Sequence, residues 1–121
     1  MKYNASKNTA WMQRLQRLDK IVCKELVLSD DFLAQHGRSR KRENVLRVQV
    51  ATQIARAYGT KLRRLSAYYK LDHATFTNSS RRVEGYIDVN DKLTVDLLER
   101  VCAAGGFSFT RVKSYRHDRR K

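Results

Sequence analysis

The stretch LRRLSAYYKLDHATFTNSSRRVEGY, residues 62–86, decides the fold. Leu62, Leu65 and Tyr69 recur at three- and four-residue steps and predict a short helix. Lys70-Leu71 reads as a turn. Asp72 is placed to cap a longer helix reaching about Tyr86, because its carboxylate can accept from the free N–H groups of a first turn. That helix has two faces. Phe76, Val83 and, just beyond, Ile87 point inward, with Ser79 and Ser80 beside them. Ala74, Thr77, Asn78, Arg81 and Arg82 point outward. A short helix, a tight turn and a capped longer helix have the proportions of a helix-turn-helix.

The flanks also read as helical. Asn8 or Thr9 is expected to cap a first helix with an apolar stripe of Trp11, Leu15, Leu18, Ile21, Val22 and Leu26. Arg14, Arg17, Lys20 and Lys24 fall mostly on its other faces. A short helix is expected over Asp30 to His36, stopped by Gly37. The basic segment Arg38-Ser39-Arg40-Lys41-Arg42 leads into a long helix, Glu43 to Tyr58, with Val45, Val48, Ala51, Ile54, Ala55 and Tyr58 as its apolar positions. Gly59 ends it as a left-handed residue. Asp91 opens another helix carrying Leu93, Leu97, Leu98 and Val101, and Gly105-Gly106 stops it. Phe107 and Phe109 are expected to fold back on the core, with a weak strand signal over Phe107 to Val112. The last residues, RVKSYRHDRRK, read as a mobile basic tail. The expected architecture is all-α: a compact bundle of about five to six helices in one domain, residues 1–110, followed by the tail, 111–121.

Composition narrows the function classes. The 121 residues carry 26 Lys and Arg against 12 Asp and Glu, a formal net charge of +14. Such a chain attracts polyanions, nucleic acid foremost. The charge is concentrated: Arg38, Arg40, Lys41, Arg42, Arg47, Arg56, Lys61, Arg63 and Arg64 face one acid, Glu43, between Gly37 and Arg64. Cys23 and Cys102 lie far apart, outside any zinc spacing, and read as small core residues in a reducing compartment. His36, His73 and His117 are dispersed, so neither a metal centre nor catalysis is expected, and no cofactor is implied. With no apolar run of membrane length and no apolar signal core, the chain is expected to stay in the cytoplasm, on the nucleoid.

On the outward face of the capped helix, short polar side chains suit entry into a major groove about 12 Å wide. Ala74 and Thr77 can pack on thymine methyls, and Asn78 can donate and accept at an adenine edge. Arg81 and Arg82 lie farther along, where phosphate is met. Of the clustered basic residues, Arg38, Arg40, Lys41, Arg42, Arg47, Lys61, Arg63 and Arg64 are expected on phosphates as well.

The run from Arg40 to Val101 resembles the C-terminal DNA-binding domain of DnaA-type replication initiators, a helix-turn-helix variant with Trp-repressor-like architecture. The resemblance is carried by Arg40-Lys41-Arg42-Glu43 opening a long helix that contains Gln49 and Ala51. Asp72-His73-Ala74-Thr75 matches the family's signature, and Arg82-Val83-Glu84 and Asp91 follow in order. The resemblance implies binding of a short asymmetric site in duplex DNA. It implies that Asp72, His73, Ala74, Thr75 and Thr77 approach bases while Arg40, Lys41 and Arg42 hold phosphates. Where the family has an arginine before the helix glutamine, this chain has Val48, with Arg47 one position away. There is no GxxxxGK[ST] loop, so no nucleotide-driven motor is expected. The expected role is that of a regulator, or of an accessory factor in replication or of a mobile element. Two alternatives stay open: a non-specific basic protein that coats DNA or binds RNA, and a homodimer paired through the Trp11–Leu26 stripe, against simple packing of that stripe on the domain.

Overall fold

The structure, a computed structural model, describes residues 5–26 and 42–116. It is all-helical in these residues, with six helices: α1 (Ala5–Glu25), α2 (Arg42–Ala57), α3 (Leu62–Tyr69), α4 (His73–Asp88), α5 (Lys92–Gly105) and α6 (Phe109–Ser114). The expected helix over Asp30 to His36 and the end of the tail, His117 to Lys121, lie outside the described residues. So do Arg38, Arg40 and Lys41.

The bundle is built around α2. This helix packs against α1, α4, α5 and α6. Every residue from Leu46 to Ala57 is buried, whereas Val45 and Tyr58 at its two ends are exposed. The apolar stripe read from the sequence is therefore only part of what α2 buries. Arg47, Gln49, Thr52, Gln53 and Arg56 are also inside, which a helix covered on all faces requires. Most buried polar groups find a partner. Gln53 Nε2 does so by donating to the carbonyls of Val112 at 2.9 Å and Tyr115 at 3.3 Å, tying α2 to the C-terminal segment.

α1 starts at Ala5, ahead of the expected caps Asn8 and Thr9, which fall within the helix, where no glycine or proline interrupts it. Leu15, Leu18 and Val22 are buried, with Trp11, Ile21 and Leu26 packed at the margin of the core. The helix lies against α2, α3 and α5, and Trp11, Ile21 and Leu26 of its stripe stay partly exposed.

Gly59 takes φ +91° after α2, as expected of a left-handed terminator. α5 begins where Asp91 Oδ2 accepts from Thr94 N at 3.1 Å and ends at Gly106, whose N–H bonds to Cys102 O. Its buried positions are Thr94, Leu97, Leu98, Val101 and Cys102. Leu93, expected inside, is 48% exposed because that stripe starts one residue later, at Thr94.

The C-terminal segment differs most from expectation. Phe107 to Val112 is not a strand and the domain does not end at residue 110. Ser108 caps α6, and Val112 is fully buried. Arg111 Nε donates to Ala57 O at 3.0 Å while its guanidinium lies 4.1 Å from the Tyr58 ring centroid. Arg116 Nη2 bonds to Asp88 Oδ1 at 2.6 Å. The basic side chains thus pair with α2 and α4 while Val112 enters the core, so residues 111–116 belong to the fold. Phe107 does fold back, with its ring edge-on to Tyr58 at 5.2 Å. Cys23 and Cys102 are buried; burial pushes the Cys102 pKa up to about 11. Among the described residues no helix is long and apolar enough to cross a membrane.

Candidate nucleic-acid interface

α3 and α4 are joined by residues 70–72. The turn lacks glycine, yet Lys70 adopts the left-handed conformation, φ 59°, ψ 43°, with its N–H bonded to Ser66 O at 2.8 Å. The Ser66 hydroxyl donates across the turn to Leu71 O. Leu65 and Tyr69 anchor α3 in the core, and Phe76, Ser79, Ser80, Val83 and Ile87 anchor α4, at the positions read from the sequence.

Asp72 is the N-cap. Its Oδ1 accepts from Thr75 N at 3.0 Å and from Thr75 Oγ1 at 2.8 Å. The hydroxyl bond, then the backbone bond, hold the carboxyl below its ordinary pKa. Asp72 and Thr75 therefore satisfy one another at the helix start. The other base-reading candidates form the outer face of the first turn and a half of α4: His73, Ala74 and Asn78 are exposed and Thr77 half-exposed. All six candidates from Asp72 to Asn78 are thus brought together, and none is buried.

The basic candidates divide. Lys61 and Arg63, at the start of α3, are exposed. Arg64 is half-exposed, its guanidinium 5.5 Å from the Trp11 ring centroid. Arg81 and Arg82 are exposed on the second half of α4. Arg42 opens α2, and only its backbone is described.

Arg47 is a correction. It is 1% exposed and cannot reach phosphate. Its Nη1 donates to Asp19 Oδ1 at 2.6 Å and Oδ2 at 2.8 Å, across the α1–α2 contact. Tyr69 OH donates to the same Oδ1 at 3.2 Å, and the Arg47 guanidinium lies 5.4 Å from the Tyr69 ring centroid. Burial, and next the Asp19 charge, push the Tyr69 pKa well above its ordinary value, so the phenol remains a donor. This buried group joins α1, α2 and α3 and fixes the base on which the α3–α4 unit stands.

Sequence reading did not single out the basic face of α1. Arg14 and Arg17 are exposed and border the same cavity as Arg64, so the basic face of α1 adjoins that of α3. Their helical spacing, with Trp11 one turn before Arg14, is the signal that could have marked this face. The chain matches no protein-family model, no curated protein and no solved structure.

Proposed function

We propose that the chain binds double-stranded DNA, with α3 and α4 acting as a helix-turn-helix and the first half of α4 in the major groove. One observation carries this reading: a rigidly anchored helix presents a face of small and polar side chains, His73, Ala74, Thr77 and Asn78, with exposed cations on either side. Lys61 and Arg63 precede that face and Arg81 and Arg82 follow it. Small polar groups read base edges and flanking cations hold phosphates, the division of labour that sequence-specific readers use. Asp72 and Thr75 hold the helix start in register. The net charge of +14 supplies the long-range attraction. The likeness to the DNA-binding domain of DnaA-type initiators points the same way. The protein acts by binding, as a regulator or as an accessory factor in replication or of a mobile element, without nucleotide, cofactor or catalysis. Its place is then on DNA in the cytoplasm.

The test is the salt dependence of binding to a duplex. Each neutralised phosphate contributes roughly −0.9 to the slope of log affinity against log salt, so five or six contacts give a slope of about −5. A slope near zero, or tighter binding to single strands or folded RNA than to any duplex, overturns the reading.

A further inference from the structure

Away from the outer face of α4, α1 and the ends of α2 and α5 enclose, with the start of α3, an open cavity of about 340 Å³. Its floor is apolar and includes Leu18, Ile54 and Phe107. The Phe107 ring closes the floor because Gly105 has no side chain: a Cβ there would stand 2.5 Å from Phe107 Cε2. The rim is cationic. Arg14 and Arg17 stand on α1 and Arg64 on α3. None of the three forms an ion pair with another described residue. Arg64 is instead held against Trp11.

We propose that this cavity binds a small amphipathic carboxylate, its apolar body on the floor and its carboxylate among Arg14, Arg17 and Arg64. Both halves of the site argue for this class. A guanidinium offers a planar fork of donors that fits a carboxylate bidentately. A free phosphate would leave the apolar floor unused, a neutral apolar molecule would leave the arginines unused, and a cation would be repelled. The volume is at the lower end of small-molecule sites, about 300–1,000 Å³. The apolar body is therefore short, of the size of a medium acyl chain. Three arginines bordering one apolar hollow raise its local positive potential, which attracts an anion. The site does not depend on DNA binding, and its test contains no DNA.

The test titrates the whole chain calorimetrically with decanoate below its micelle concentration, using decanol and decyltrimethylammonium as controls. Saturable one-to-one binding is expected, at least about tenfold tighter than either control, as charge-assisted hydrogen bonds confer. Arg14→Gln with Arg17→Gln, at exposed positions, should weaken it about tenfold or more by the same argument. Ala55→Phe keeps every charge but fills the floor, and should abolish it. Because Ala55 is buried, amide-shift mapping on the unaltered protein is the second readout, with the largest shifts expected at Gly59, Thr60 and Phe107. No binding, equal binding of the controls, an unchanged affinity in the arginine variant, or shifts remote from the cavity would each overturn the proposal.

Discussion

Arg47 on α2 and Asp19 on α1 form a buried ion pair in which one guanidinium nitrogen donates to both carboxylate oxygens, at 2.6 and 2.8 Å. Tyr69, the last residue of α3, donates to the same carboxylate. Three helices are thus fixed at one point beneath the α3–α4 unit. Removing one partner leaves the other charge buried and unpaired. Asp19→Leu or Arg47→Met alone should each destabilise the fold by about 3–5 kcal/mol. Asp19→Leu combined with Arg47→Met should cost much less than the sum of the single changes, because no lone charge remains. Urea denaturation of the four proteins measures this. Additive losses would mean that the two groups are not coupled.

Asp72 starts α4, and its carboxylate accepts two hydrogen bonds from Thr75. Its folded-state pKa is lowered, so its contribution is present above the unfolded value, about 3.9, and is lost as pH falls through the lower folded value. Asp72→Ala should lower Tm at neutral pH, and the gap from the unaltered protein should narrow below about pH 4. Asp72→Asn, which retains a capping oxygen, should recover much of the loss without that pH dependence. A gap that widens on acidification would contradict the assignment.

The C-terminal helix should behave as core rather than as appendage. Val112 is fully buried and Gln53 is bonded to its carbonyl. Val112→Ala removes two methyl groups and leaves a cavity, at a cost of about 2–3 kcal/mol. Thr110→Ala, at an exposed position of the same helix, should fall within about 0.5 kcal/mol of the parent. Equal, negligible effects would return this segment to the status of a tail.

The legible parts of this fold are those set by neighbours in sequence. The start of α4 follows from Asp72 and its buried face from the spacing of Phe76, Val83 and Ile87, all within a few turns. Gly59 marks the end of α2 for an equally local reason. Arg47 was not legible, because its partner lies 28 residues away and nothing in a basic run tells a solvated arginine from a buried one. The total burial of α2 escaped a reading based on apolar period, since Gln53 is inside by virtue of carbonyls far along the chain. Arg111 and Lys113 disguised α6 as a tail, although Ser108 and Val112 carry a cap and a core contact. The outward orientation of His73, Ala74, Thr77 and Asn78 was legible for the same local reason. The adjoining basic face of α1 was not, because it depends on how α1 and α3 pack.

On the proposed function, the first half of α4 distinguishes base pairs. The most direct test selects a preferred duplex from a random library and compares binding to it with binding to random duplex. Thr77→Ala and Asn78→Ala should each cost about 1–3 kcal/mol on the preferred site and nearly nothing on random DNA. Arg63→Ala should cost similar amounts on both, because phosphate contacts carry no sequence information. If no preferred site emerges, or if the Thr77, Asn78 and His73 substitutions leave discrimination intact while the arginine still matters, α4 does not read bases and the protein is a non-specific coat.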